Sequence, residues 1–173
     1  MRAGVSFKEV DRDAKRNPDY VCNMENMSIF TDNSIDVYFC MEVLEHVQNP
    51  FAAVAELSRT LKPGGVIIGS TPFIMPLHDE PYDFYRYTKY GLHYIFKDFI
   101  PLKLVERNSY LESVYVVVLR LLNIGTKKQK IVAIALSPIF ILLLPAVLIF
   151  SPLITNKQST TGYFFIFQKR STL

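Results

Sequence analysis

Asp32-Asn-Ser-Ile-Asp-Val-Tyr-Phe-Cys-Met-Glu-Val-Leu-Glu-His46 and Leu61-Lys-Pro-Gly-Gly-Val-Ile-Ile-Gly-Ser-Thr-Pro72, with Asn49 to Thr60 between them, read as strand, helix, strand. Ile35 to Met41 is a short apolar run, rich in β-branched and aromatic residues and launched from an Asp-Asn turn. A strand covered on both faces has this pattern, so a central parallel strand is expected. Asn49 offers an N-cap and Pro50 suits a first helical turn; Phe51, Val54, Leu57 and Leu61 then recur at helical spacing, while Glu56, Arg59 and Lys62 point elsewhere. Pro63-Gly64-Gly65 is expected to stop that helix and turn the chain into Val66 to Thr71. The unit is βαβ with a right-handed crossover, and it implies a doubly wound α/β sheet.

The other motifs follow in order: Glu42-Val-Leu-Glu-His46, Leu61-Lys-Pro-Gly-Gly65, then His78 with Pro81-Tyr-Asp-Phe-Tyr-Arg-Tyr-Thr88. Together they resemble the later two thirds of a class I S-adenosylmethionine-dependent methyltransferase of the type 11 kind, over roughly residues 5 to 110. The resemblance implies S-adenosylmethionine as cofactor, a small or lipid-linked methyl acceptor and a Rossmann-like sheet. One departure is large. The family's glycine-rich loop after its first strand is absent, because the chain begins where the family's second strand would be. The expected fold is therefore an incomplete Rossmann-like doubly wound sheet, the methyltransferase fold without its first strand, with an apolar helical insertion before the last strand. A partner supplying the missing strand would close it.

The chain's 173 residues leave room for one domain and a sizeable core, and 50% hydrophobic content is high for a soluble protein. The net charge of +3 is spread out, with no basic cluster interleaved with aromatics, which argues against nucleic acid as a partner. Cys22 and Cys40 lie in apolar runs without metal-ligand spacing, so two buried thiols and no metal are expected. No apolar core of signal-peptide length follows Met1.

Several residues carry the candidate chemistry. By resemblance, Asp11 at the end of the second family strand holds the ribose hydroxyls, since a carboxylate accepts both hydrogens at once, with Glu9 as the competing acid. Asn23 and Met24 flank the adenine, and Met41 and Glu42 complete the cofactor set. Glu45 and His46 fall at the carboxyl edge of the sheet, where open α/β folds bind ligands. They suit orientation or base work in an in-line methyl transfer, together with His78. A His46 that only bonds neighbouring backbone is the plainer alternative. The stretch from His78 to Thr88 concentrates donors, acceptors and aromatic faces and reads as a substrate-side lid using His78, Asp83, Tyr85 and Arg86. Its plainer alternative is a local Asp83, Arg86 and Thr88 network fixing the entry to the next helix.

That next helix is expected over Lys89 to Phe99, and strands over Leu102 to Asn108 and Gly162 to Lys169. About fifty residues separate the two strands, far more than a hairpin loop needs. Within them Ile131 to Ile154 carries no charge and is long enough, as a helix, to cross a bilayer's hydrocarbon core. Lys127, Lys128 and Lys130 precede it and Lys157 follows. A single crossing would strand the last strand on the far side, so a re-entrant or interfacial hairpin turning near Pro145 is expected, at the cytoplasmic face of a membrane. The alternative packs the segment on the domain. The chain thus divides into a methyltransferase-like core (1–110), the insertion (111–158), and the last strand with its tail (159–173).

Overall fold

The computed structural model describes residues 4, 6–124, 126–154 and 158–171. Two short strands open the chain, β1 (Val10–Asp11) and β2 (Tyr20–Val21), and they pair in parallel. A second sheet contains β3 (Ile35–Met41), β4 (Leu61–Pro72), β5 (Phe99–Glu106) and β6 (Gly162–Lys169) in the order β3-β4-β6-β5. β3 and β4 are parallel, while β6 runs antiparallel to both β4 and β5. Among the described residues no strand joins the two sheets, so each keeps an unpaired edge facing the gap.

The expected crossover is present. α1 (Pro50–Thr60) begins at Asn49, whose side chain accepts from the Ala52 N–H at 3.1 Å. It ends at Thr60, earlier than Pro63-Gly64-Gly65 suggested, because Leu61 already adopts extended backbone and pairs with Ile35. The Pro-Gly-Gly triplet then coincides with the register irregularity between Ile35 and Val37, and Gly64 takes φ 79°, a conformation open to glycine. α2 (Lys89–Ile95) is shorter than expected, since Phe99 already belongs to β5.

One face of the larger sheet carries the core. Cys40, Ile67, Phe165 and Phe167 meet Val54 and Leu57 of α1 and Leu92 and Ile95 of α2. Gly69 lies where any side chain would collide with the Phe165 ring, so the close approach of β4 to β6 requires it. Among the described residues no helix covers the opposite face of β3. Val37, Phe39 and Met41 on β3 are 41%, 59% and 49% exposed, and Phe7 packs on Phe39 at 6.1 Å between ring centroids. Ile35 to Met41 is therefore an edge strand covered on one face, not a central strand covered on both. An apolar run cannot distinguish a strand that is covered from one that has lost its neighbour. Of the two thiols, Cys40 is buried and Cys22 only partly so.

The insertion is a helical hairpin of α3 (Tyr110–Ile124) and α4 (Lys127–Phe150). α4 runs unbroken through Pro138 and Pro145, so the turn back lies before Lys127 and not at Pro145. The helix tolerates Pro138 because the carbonyl it deprives of a donor, Ile134 O, accepts from the Ser137 hydroxyl at 2.7 Å. Tyr115 ties the two helices by donating to the Phe140 carbonyl at 2.6 Å. Thr126 and Gln129 form a reciprocal cap at the start of α4. Lys127–Leu153 is, among the described residues, the one helix long and apolar enough to cross a membrane by length and composition. Lys157 lies outside the described residues.

Candidate functional site

β3 delivers the chain to Glu42, whose left-handed φ of 54° turns it off the sheet into a 3-10 turn at Leu44–His46. The lid segment is sewn onto that turn. The Phe84 and Tyr85 N–H groups donate to the Glu45 carbonyl at 2.8 and 3.2 Å, Tyr85 Oη to the Gln48 carbonyl at 2.8 Å, and Tyr87 Oη to the Leu44 carbonyl at 3.0 Å. His46 Nδ1 lies 2.7 Å from the Tyr82 carbonyl. A carbonyl only accepts, so Nδ1 carries the proton and Nε2 the lone pair.

The Glu45 side chain is fully buried, and no other described residue donates to either of its oxygens. Burial pushes its carboxyl up to about 7, because the charged form loses water and the residue's own backbone N–H offsets only part of that loss. His46 Nε2 and His78 Nε2 each stand 3.8 Å from Glu45 Oε1, and the two imidazoles meet edge to face at 4.9 Å. His78 Nδ1 has only acceptors nearby, Asp83 Oδ2 and the Pro76 carbonyl, both at 3.4 Å. The sequence brings these groups together through two separate loops, which the absence of cysteine metal spacing could not reveal. Ligand-capable atoms of Glu45, His46 and His78 all lie within 4.8 Å of one another.

Asp83 and Arg86 form the frame behind His78. The guanidinium grips Asp83 through Nη1 to Oδ1 at 2.5 Å and Nη2 to Oδ2 at 2.6 Å, and it also donates to the Met75, Pro76 and Tyr85 carbonyls. The Arg86 hydrogen bond holds the Asp83 carboxyl down at about 2. Thr88 caps α2 by accepting from the Gly91 N–H at 3.0 Å. Arg86 is therefore committed to its own loop, as the local-network reading expects, while Tyr85 is spent on fastening the lid.

The cofactor candidates divide into two groups. Asp11, at the end of β1, accepts from the Asp13 N–H at 2.8 Å and from Arg16 at 3.2 Å, and Asn23 Oδ1 accepts from the Glu25 N–H at 3.0 Å. Met24 packs against the core. Glu25 in turn accepts from the Gln48 N–H at 2.9 Å, which sets the turn after β2 beside the loop after β3. Arg12 lies over the Tyr82 ring at 4.0 Å, joining the end of β1 to the lid. A carboxylate, an amide and a thioether at these strand ends fit the ribose and adenine half of S-adenosylmethionine. The other half fits less well. Among the described residues no glycine turn fills the gap beside β3, Met41 is open to solvent, and Glu42 accepts from Ser70 Oγ at 2.8 Å and pairs with Arg107. Arg107 and Arg12 escaped the sequence reading because their partners, Glu42 and Tyr82, are distant in the chain.

Residues 5–69 match the family model of a methyltransferase domain. The ubiquinone biosynthesis O-methyltransferase of Idiomarina loihiensis is 44% identical over 57 residues, 32% of this chain and 24% of that protein. The chain thus spans about a quarter of the length of that curated relative. Among solved structures, the cyclase SpnF superposes with a TM-score of 0.54 at 15% identity, over 89% of this chain and 56% of that one. A Galdieria sulphuraria protein described as a sarcosine dimethylglycine methyltransferase does so with a TM-score of 0.51 at 19% identity, over 89% and 59%. The matched segment is thus similar to a methyltransferase domain, and the strand order and superpositions show that the chain has the Rossmann-like fold of such proteins.

Proposed function

We propose that the chain serves S-adenosylmethionine-dependent methyl transfer to a hydroxyl oxygen of a small or lipid-linked acceptor, at the cytoplasmic face of a membrane. The observation that carries this reading is the convergence of Glu45, His46 and His78 at the carboxyl edge of β3, beside the strand end that holds Asp11. The cofactor supplies an activated methyl group. What the protein must add is alignment and a destination for the hydroxyl proton. His46 meets the second need, because the Tyr82 carbonyl fixes its tautomer and leaves the lone pair on Nε2, 3.8 Å from Glu45 Oε1. The name of the Idiomarina relative, an O-methyltransferase of ubiquinone biosynthesis, supports an oxygen acceptor on a lipid-linked molecule. The apolar α3–α4 hairpin supports delivery from a membrane, and the groove between its helices is lined by Val118, Leu119, Val132 and Leu136.

A second reading, a non-catalytic relative or a membrane-anchored interaction module, draws on the open face and edge of β3. The same fold in a cyclase shows that architecture alone does not fix the reaction. One assay separates the two. The chain in detergent is incubated with methyl-labelled S-adenosylmethionine and a membrane lipid extract, and label is counted in the organic phase. Transfer that falls roughly 100-fold or more in His46→Ala supports the enzyme. No transfer at saturating cofactor leaves the interaction module.

A further inference from the structure

We propose that Glu45, His46 and His78 bind a divalent metal ion of the borderline class, such as Zn2+ or Mn2+, through one carboxylate oxygen and two imidazole nitrogens. The donor set suits such an ion, and the protonation pattern supports it independently. Both histidines hold their Nδ1 protons toward acceptors, His46 toward the Tyr82 carbonyl and His78 toward Asp83 and the Pro76 carbonyl. Each therefore leaves its Nε2 as the ligand atom, and each Nε2 stands 3.8 Å from Glu45 Oε1. Carboxylate or carbonyl partners behind ligating imidazoles are what metal sites use to fix the tautomer. Asp83 is itself held in place by the bidentate Arg86.

The buried carboxylate is the second line of argument. Glu45 is fully enclosed, yet no other described residue donates to either oxygen, although its own loop is dense with hydrogen bonds. A cation at the centre of the cluster satisfies it. Ligand atoms about 2.1 Å from a tetrahedral ion stand about 3.4 Å apart, so the two 3.8 Å contacts must close by a few tenths of an ångström, while the set as a whole lies within 4.8 Å. Three protein ligands leave at least one position for water or an exchangeable oxygen. The His78 side chain, 34% exposed, marks the open side, and Asp79, 4.0 Å from His46 Nε2, stands on its rim. With an ion bound the imidazoles are ligands, and a coordinated hydroxyl loses its proton more readily. That use rests on the methyl-transfer reading; binding does not.

The test is metal binding by the whole chain in detergent, stripped with chelator and titrated calorimetrically with Zn2+ and, separately, Mn2+. Co2+ absorption serves as a spectroscopic check on the ligand set. The expected result is one ion per chain, with His46→Ala and His78→Ala each weakening binding at least about 10-fold and Asp83→Asn weakening it by about 10- to 100-fold. His93→Ala, remote on α2 beside Phe167, leaves affinity unchanged. Glu45→Gln keeps the side-chain volume and should also weaken binding; if it does not fold, the partly exposed His78 decides. No binding below about 1 mM, or wild-type affinity in the His46→Ala/His78→Ala double variant, overturns the proposal. Metal bound with these dependences but no methyl transfer overturns only the proposed function.

Discussion

Asp83 illustrates how one residue can set the behaviour of a loop. Its side chain is 2% exposed and its charge is balanced by the Arg86 fork. Arg86→Ala would leave a buried carboxylate without its counter-ion, at a cost of about 2 to 3 kcal/mol, less than the about 3 to 5 kcal/mol of a fully buried pair because Arg86 is 21% exposed. Urea unfolding midpoints measure this, and Arg86→Lys, which keeps the charge but loses the fork, should fall between. The pair also predicts an acid limb. Arg86 depresses the Asp83 carboxyl to about 2 in the folded chain, below the ordinary value of about 3.9. Its stabilisation is therefore complete above about pH 3.9 and is lost as pH falls through about 2. In Arg86→Ala that contribution to the acid limb should vanish; an unchanged pH profile would show that the fork does not govern it.

Among the elements, the α3–α4 hairpin poses the sharpest question. Both of its roots are fixed to the same sheet end: the Asn108 N–H donates to Thr160 Oγ1 at 3.3 Å, and Ser113 Oγ donates to the Ser159 carbonyl at 3.4 Å. Since β6 pairs with β4 and β5, a membrane-inserted hairpin must return to the side it left. In a hairpin that meets a membrane, Lys127, Lys128 and Lys130 at the tip would favour the headgroup layer and the apolar middle of α4 the acyl boundary. Leu142, 80% exposed near the helix centre, is the test position. Leu142→Arg should reduce co-sedimentation with anionic vesicles by roughly 70- to 400-fold, the equivalent of about 2.5 to 3.5 kcal/mol, while Tyr94→Arg on α2 should not. A membrane-impermeant thiol reagent should reach Ser109→Cys and Ser159→Cys from the same side, with labelling from opposite sides overturning the topology. Much of this element was legible from composition, since charge-free length marks Ile131 to Ile154 as apolar helix. The place of the turn was not. Proline reads as a breaker, and the sequence gives no sign that the Ser137 hydroxyl will satisfy the carbonyl that Pro138 strands.

For the whole molecule, the division into a two-stranded and a four-stranded sheet governs cofactor affinity. Among the described residues no glycine turn stands beside β3, and two or three hydrogen bonds fewer at about 1 kcal/mol each predict S-adenosylmethionine binding roughly 30- to 160-fold weaker than in a methyltransferase that has the turn. Calorimetry on both proteins tests this, and equal affinity would mean that other residues have replaced the turn. The strand-helix-strand unit was readable because Ile35 to Pro72 contains its own caps, periodicity and breakers. The Glu45, His46 and His78 cluster was readable only as separate candidates, since thirty residues and a folded lid stand between its parts. The hairpin roots carry a further consequence. Asn108 and Thr160 already touch, so the fifty residues between them are an excisable module rather than a structural necessity. Replacing them with a tight turn should leave the sheet pairings in place and yield an α/β domain rid of its apolar helices, so that the sheet and the hairpin can be studied as separate parts.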